Sequence, residues 1–184
     1  MKRKARGARS ATEHGGGKPR GKAEAPRGTG AGGPRLYTLK VSILCGPMSD
    51  DVVSTNPQPS RTIEIRGDQT LEELHYALYA AFGRDEEHMY EFAFGKRPRD
   101  PRSIRYTLPM ALDDGDPAMG DLTETTLDSL ALKPHQVFFY LFDFGDEWWH
   151  DIRVLATDGL PSRGKYPRVT ARVGKSPPQY PEID

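Results

Sequence analysis

The chain has 184 residues, of which 36% are apolar, so it can form one domain with a modest core but hardly two. Its formal net charge of zero hides an asymmetry: residues 1–34 carry nine Lys or Arg and two Glu, whereas residues 35–184 carry 17 basic and 24 acidic side chains. The single cysteine, Cys45, excludes an internal disulfide and a zinc site built from several cysteines. No apolar run approaches the roughly 18–20 residues that span a bilayer, and no apolar segment follows the basic start. We therefore expect a cytoplasmic protein without a membrane partner.

Residues 1–34 are predicted to form a disordered basic arm. The segment is rich in Gly, Ala, Lys, Arg and Pro and contains no Val, Ile, Leu, Phe, Tyr or Trp. It therefore has nothing to bury against the entropy that ordering would cost. Basic side chains neutralise phosphates, so the arm could bind nucleic acid, and the alternative is a solubilising tail. The residues that would make such contacts include Lys2, Arg3, Lys4, Arg6 and Arg9.

Residues 35–184 show the alternation of apolar and polar side chains that is typical of half-buried β-strands. The segment at 136–142 is apolar on both faces, which predicts a central position in a sheet. Weaker alternation suggests further short strands near 104–108 and at 168–173. The clear pattern predicts five strands, at residues 37–43, 61–66, 88–95, 136–142 and 148–156.

The clearest helix of the chain follows the second strand. The letters "TLEE" form a capping box, with Thr70 as N-cap and Glu73 at the third helical position. Apolar residues then recur at helical spacing, and Gly83 is expected to end the helix in a left-handed conformation. His75 lies within the same apolar stripe.

The predicted architecture is a single α+β domain. It would contain an antiparallel or mixed sheet of about five strands, one main helix packed on that sheet and a C-terminal β-hairpin. Gly145 is expected to take the positive φ that the hairpin turn requires. We expect the core of the domain at about 36–156 and an irregular tail at 157–184.

Two stretches of sequence together resemble the plasmid pRiA4b ORF-3-like family. They are "TLEELHYALYAAFGRDEEHMYEFAFG" and, further along, "FFYLFDFGDEWWHDI". The family pattern joins a Leu-His pair on a helix to a strand reading H-L/M-x-x-F and a hairpin reading D-[YF]-G-D-x-W-x-H-x-I. The matching positions here are Leu74, His75, His88, Met89, Phe92, Asp143, Phe144, Gly145, Asp146, Trp148, His150 and Ile152.

The resemblance covers about residues 36–156 and departs from the family pattern in two places. Only Arg61 and the following "TIEI" resemble the aromatic and arginine stretch that often precedes the helix in relatives. Many relatives end in a segment with several cysteines, whereas Val169 and Ser176 stand near those positions here. The resemblance implies a small α+β protein of the kind encoded on chromosomes, plasmids and transposable elements, and it implies no established activity.

Three histidines form the sharpest candidate site. His75, His88 and His150 each share a face with apolar neighbours, so they could converge if the helix packs on the strands. Three imidazoles with an open fourth position suit a catalytic zinc, and Asp143 could orient one of them. No tight metal-binding spacing such as HExxH is present. The favoured interpretation is therefore that each histidine is part-buried and hydrogen-bonded, and no cofactor is predicted.

The hairpin residues Asp143, Asp146 and Trp148 complete the candidate cluster. Asp143 and Asp146 could serve as paired carboxylates in acid–base chemistry, but in a tight turn they more often bind the turn amides. Trp149 falls on the polar face, where it would be either covered by the C-terminal tail or part of a binding surface.

The sequence favours a non-enzymatic interaction or accessory module, associated with mobile genetic elements through the family resemblance. Its partner would be an unidentified protein, or nucleic acid held by the basic arm. The alternative is a metal-assisted hydrolase or nuclease, with a divalent metal held by His75, His88 and His150.

Overall fold

The structure, a computed structural model, describes residues 33–55, 58–113 and 115–181. Eight strands in this part of the chain form one sheet, in the order β5-β4-β3-β6-β7-β1-β2-β8. All neighbouring strands are antiparallel except the parallel pair β4–β5, so the sheet is mixed. The strands are β1 (Leu36–Cys45), β2 (Ser60–Arg66), β3 (Tyr90–Phe94), β4 (Ile104–Thr107), β5 (Met119–Asp121), β6 (Val137–Phe142), β7 (Trp148–Gly159) and β8 (Arg168–Val173).

The predicted main helix, here α2, spans Leu71–Phe82 and is preceded by a short helix, α1, at Asp50–Thr55. The capping box is confirmed: the Thr70 hydroxyl accepts from the Glu73 amide at 3.2 Å, and the Glu73 carboxylate accepts from the Thr70 amide at 2.8 Å. Gly83 ends α2 at φ 64°, as predicted. Caps of this kind satisfy backbone groups that have no partner inside the helix.

The main core lies between α2 and one face of the sheet, which we call the helix face. The central strands contribute alternate residues to it, and α2 contributes its apolar stripe. No solvent reaches most of these side chains, and the rings of β3, β6 and β7 dominate the packing. The largest of them are Tyr37, Phe82, Phe92, Phe138, Phe142 and Trp148.

A smaller apolar cluster lies on the opposite side of the sheet, which we call the second face. Ala93, Phe139, Leu141 and Trp149 are buried there, and Val137 packs against them. Both faces of β6 are therefore packed, which confirms its predicted central position. The excursion between β3 and β5 covers this cluster in part, since its side chains line an open concavity together with Leu141 and Trp149.

The predicted α+β domain with about five strands is wrong, because the described chain is mostly sheet and has eight strands. The three uncounted strands lie toward the edges of the sheet and carry few buried apolar residues. β4 is mostly exposed or half-buried, β5 has three residues, and four of the six residues of β8 are exposed. Edge strands bury little apolar surface, so their sequences lack the alternation that marks central strands.

The segment after β8 returns across the C-terminal end of α2, and we call residues 174–180 the strap. Ser176 donates to the Phe82 carbonyl at 2.6 Å. Gln179 is 1% exposed and accepts from the amides of Asp85 and Glu86 while donating to the Glu86 carbonyl. Part of the tail that was predicted to be irregular is thus tied to the loop between α2 and β3. The predicted disordered arm lies outside the described residues, apart from its last two.

Candidate functional site

His75 lies in the aromatic core beneath α2. Its ring stacks on Tyr90 with 3.4 Å between centroids and 2° between planes, and its Nδ1 lies 2.8 Å from the Tyr140 hydroxyl. Burial lowers the pKa of His75 to about 3, so the ring is neutral at physiological pH. The side chain is therefore held by stacking and one hydrogen bond in a site closed to solvent.

His150 lies on β7 on the other side of Tyr140, with 5.2 Å between the two ring centroids. Its Nδ1 donates to the Trp148 carbonyl at 3.2 Å, which leaves Nε2 without a proton in the neutral ring. Nε2 is buried and has no hydrogen-bond partner within the described chain. Burial, assisted by the nearby Arg84 charge, lowers the pKa of His150 to about 3.

His88 occupies a different and more open place, at the start of β3. Its Nε2 lies 2.7 Å from the Tyr180 hydroxyl of the strap and 3.5 Å from Asp143 Oδ2. The structure thus brings together His88 and Asp143, two positions of the family motif. His88 therefore links Asp143 of the hairpin to Tyr180 of the strap.

The three histidines do not share one centre. The side chain of Tyr140 separates His75 from His150, and His88 packs edge-on to Phe142 with 6.0 Å between ring centroids. In the part of the chain that the structure describes, no group of three or more His, Cys, Asp or Glu side chains is arranged to hold a metal ion. The geometry therefore supports structural roles for His75 and His150.

The hairpin turn is organised by Asp143. Its Oδ1 accepts from the amides of Gly145 at 2.9 Å and Asp146 at 3.3 Å, the bonding expected of a turn aspartate. The expectation for Gly145 is wrong, because the positive φ angles fall at Asp143 (60°) and Glu147 (52°) instead. The Asp146 side chain makes no hydrogen bond to the described residues.

Trp148 belongs to the helix-face core. The guanidinium carbon of Arg84 lies 3.8 Å from its ring centroid, and Gly46 packs so closely on the ring that a Cβ there would overlap it. Trp148 is fully buried, and its indole N–H has no partner among the described residues. This residue therefore stabilises the hairpin and offers no surface for binding.

The second face carries an open concavity of about 470 Å³, which we call the hollow. Its floor follows one line across three adjacent strands, because Glu91 pairs with Leu141 and Leu141 pairs with Trp149. Neighbouring strands are about 4.8 Å apart, so Glu91 and Trp149 stand roughly 10 Å from each other at opposite ends of this line. Pockets of this volume accept small organic ligands.

Most charges around the hollow are already paired. Arg99 forms a two-point ion pair with Glu147, and it also lies near the Trp149 ring. Arg105 lies 3.6 Å from Asp116. The other acids and the remaining lining are Glu91, Asp100, Ala93, Pro101, Ser103, Ala118, Leu141 and Trp149.

Glu91 differs from the other acids of the hollow. Its carboxylate makes no hydrogen bond or close ion pair within the described part of the chain. Burial raises its pKa above the ordinary value, and the charge of Arg105 opposes this rise in part. Beneath the lining, the Trp149 indole N–H and the Ser103 hydroxyl are buried without partners in the same part of the chain. A buried polar group without a hydrogen bond costs about 1–3 kcal/mol of folding free energy. This face therefore carries polar groups that could still bond to a ligand.

A second concavity, of about 710 Å³, adjoins the hollow across a wall made by Asp100 and Pro101. Three cations line it: Lys96, Arg97 and Arg102. Their side chains make no ion pair with the described residues. The loop after β3 that carries these cations is held in place, since the Asp100 carboxylate accepts hydrogen bonds from the amides of Lys96 and Arg102 at 3.0 and 3.1 Å. We call these three cations the basic wall.

The hollow was not predicted from the sequence, although part of its lining can be recognised there. The alternation of β3 places Glu91 and Ala93 on the face opposite the main core, and the alternation of β7 places Trp149 on that same face. The run "KRPRDPR" at 96–102 is the densest basic segment of the described chain. The cover of Trp149 comes from the excursion after β3, which the sequence did not reveal.

Comparison with known proteins agrees with the motifs. The family model described as "Plasmid pRiA4b ORF-3-like protein" matches residues 51–180, which confirms the resemblance and extends it through the strap. An uncharacterized protein, y4hQ, of Sinorhizobium fredii (strain NBRC 101917 / NGR234) is 31% identical over 110 residues. That alignment covers 59% of this chain and 52% of y4hQ, so it spans about half the length of that relative.

A crystal structure of a protein of unknown function, MM3350 from Methanosarcina mazei Go1, has a similar fold. Its TM-score is 0.59 at 23% identity, over 79% of this chain and 73% of that one. At this identity the likeness concerns the fold alone. In the described ranges, no helix has the length and apolar character needed to cross a membrane.

Proposed function

Because this chain belongs to the plasmid pRiA4b ORF-3-like protein family, we propose from its own geometry that it is a non-enzymatic binding module whose site is the hollow. The observation that carries the proposal is the contrast between the two faces of the sheet. His75 and His150 are enclosed on the helix face, whereas the hollow is open and holds the carboxylate of Glu91, which has no hydrogen bond within the described residues. The predicted association with mobile genetic elements is part of this proposal and rests on the family resemblance.

Small-probe mapping by NMR tests the site. Neutral probes such as N-methylacetamide and phenol should shift the backbone amides of Ala93 and Leu141 and the Trp149 indole signal. The variant Ala118→Trp, which places a large ring into the hollow from its wall, should abolish these shifts. The matched control Ala171→Trp lies on the exposed edge strand β8 and should retain them. Shifts that survive in Ala118→Trp would place binding elsewhere and contradict the proposal.

The alternative of metal-assisted hydrolysis has weaker support. His75 and His150 would have to leave aromatic packing to share a metal with His88, and burial already lowers the pKa of both rings. Metal analysis of the purified protein separates the two functions. Stoichiometric zinc, manganese or iron that is lost in the variant His88→Gln would favour the hydrolase over the binding module.

A further inference from the structure

The hollow offers a carboxylate and the basic wall offers cations, so together they favour a ligand with complementary groups at its two ends. The floor of the hollow ends in a carboxylate that can accept two hydrogen bonds. The adjoining concavity is lined by three cations and one acid, Asp100, and within the described chain none of the three cations forms a close ion pair. A ligand that uses both features needs a pair of N–H donors at one end and an anionic group at the other. The apolar centre, made by Ala93, Leu141 and Trp149, suits a flat body between them.

Two common groups present adjacent N–H donors to a carboxylate: a guanidinium and the edge of a guanine base. The basic wall decides between them. Lys96, Arg97 and Arg102 would repel the positive charge of an arginine side chain, whereas they attract a phosphate. Glu91 is the only acid of the hollow whose carboxylate lacks a partner within the described chain, because Glu147, Asp116 and Asp100 are engaged.

We propose that the hollow and the basic wall together bind a guanine nucleotide. Glu91 accepts from the N1–H and N2–H of the base, which lies over Leu141 and beside Trp149, and the phosphate contacts Lys96 and Arg102. The proposal rests on the hollow being the binding site, and it adds the class of ligand. The nucleotide could be a free mononucleotide or one unit of a single strand, since both present the same base and phosphate.

The test uses the full chain and four probes: GMP, AMP, a thymine decamer with one central guanine, and an all-thymine decamer. We expect GMP or the guanine-containing decamer to bind at least tenfold more tightly than its matched partner. The tighter of these two ligands identifies the source of the nucleotide. Equal affinity for GMP and AMP, together with equal affinity for the two decamers, would overturn the assignment of the base to Glu91.

Variants locate the site. Glu91→Gln keeps the shape of the side chain and removes the charge, so guanine affinity should fall about 10- to 100-fold. The double variant Lys96→Ala/Arg102→Ala should weaken GMP and AMP alike by about tenfold. The matched control Arg163→Ala/Lys165→Ala removes two exposed cations between β7 and β8 and should leave GMP affinity unchanged. Affinity that is indifferent to Glu91→Gln would overturn the proposal.

The outcome also separates this inference from the function on which it rests. If the neutral probes occupy the hollow and neither GMP nor the guanine-containing decamer binds at millimolar concentration, the nucleotide assignment fails and the binding module stands. If the neutral probes do not occupy the hollow either, both proposals fail.

Discussion

At the scale of single residues, the contribution of the buried His75 and His150 to the free energy of unfolding depends on pH. Both are neutral in the folded protein because burial lowers the pKa of each ring to about 3. In the unfolded chain a histidine takes up its proton near pH 6.5. Their contribution to stability is therefore complete above that pH and is lost progressively as the pH falls toward 3.

We predict that this loss approaches about 1.4 kcal/mol per pH unit for each histidine. The variant His75→Gln should be less stable at pH 7, because it loses the stacking on Tyr90. Its free energy of unfolding should nevertheless fall less steeply with acid, by about one proton. Urea unfolding of the wild type and of His75→Gln at pH 4, 5, 6 and 7 gives the slope of the free energy of unfolding against pH for each protein. Parallel profiles for the wild type and His75→Gln would contradict the shifted pKa.

Also at this scale, Arg84 buries its charge without an ion pair to any carboxylate in the described part of the chain. Its Nε and Nη2 have no hydrogen-bond partner in the described chain, and burial lowers its pKa to about 10. That shift corresponds to a penalty of about 3 kcal/mol for the charged form. Stacking on Trp148 returns about 2 kcal/mol, and Nη1 donates one long hydrogen bond, of 3.4 Å, to the Pro177 carbonyl. Desolvation therefore outweighs the stacking.

We predict that Arg84→Met raises the free energy of unfolding by about 1 kcal/mol, because methionine covers Trp148 without a buried charge. Arg84→Ala should instead lower stability, since it uncovers the indole ring. Urea unfolding of both variants at pH 7 is the measurement. A lower stability for Arg84→Met than for the wild type would show that the guanidinium has a partner of greater value than the stacking.

At the scale of elements, the sequence predicted the helix ends, which depend on neighbouring residues, and the central strands, which are marked by buried apolar side chains. The capping box of α2 and its end at Gly83 follow from short-range rules, and all five strands that were counted are present. The strands β4 and β8 were suggested but not counted, and β5 was missed, because strands at or next to the edge of a sheet are held mainly by backbone pairing that side-chain patterns do not record. The hollow was missed for a related reason. It exists only once the excursion after β3 folds over Glu91 and Trp149, and contacts so distant in sequence leave no periodic signal.

The strap is the element whose stability is most easily tested. Gln179 is buried and makes three hydrogen bonds with the backbone of Asp85 and Glu86, the longest at 3.1 Å. We predict that Gln179→Ala lowers the free energy of unfolding by about 2 kcal/mol, since buried backbone groups lose their partners. Hydrogen exchange at the Asp85 and Glu86 amides should accelerate in the same variant.

The control for this prediction is Gln136→Ala, which removes a glutamine whose side chain accepts one hydrogen bond, from the Lys133 amide at 3.1 Å on the surface. It should change stability by less than about 0.5 kcal/mol. Equal effects of the two substitutions would indicate that the strap contributes no more than an ordinary surface contact.

At the scale of the whole molecule, the chain divides into two parts of opposite net charge. Residues 35–184 have 17 basic and 24 acidic side chains, so they repel a polynucleotide at long range. Residues 1–34 have the opposite excess, with nine basic and two acidic side chains. Contacts to phosphates give affinity without sequence information, whereas contacts to a base give selectivity. If the ligand is a strand, the arm would supply attraction and the hollow would supply the preference for guanine.

We predict that deletion of residues 1–34 separates these two contributions. The melting temperature should change by less than about 2 °C, because the predicted domain begins at residue 35 and the core starts with Leu36. The affinity for the all-thymine decamer should fall, and its dependence on salt should flatten, since each lost phosphate contact reduces the slope of log K against log salt by about 0.7. Replacing Lys2, Arg3, Lys4, Arg6 and Arg9 with glutamine should produce part of this effect. The ratio of affinities for GMP and AMP should be the same in the shortened and full chains. A ratio that collapses on deletion would place guanine recognition in the arm and not in the folded domain.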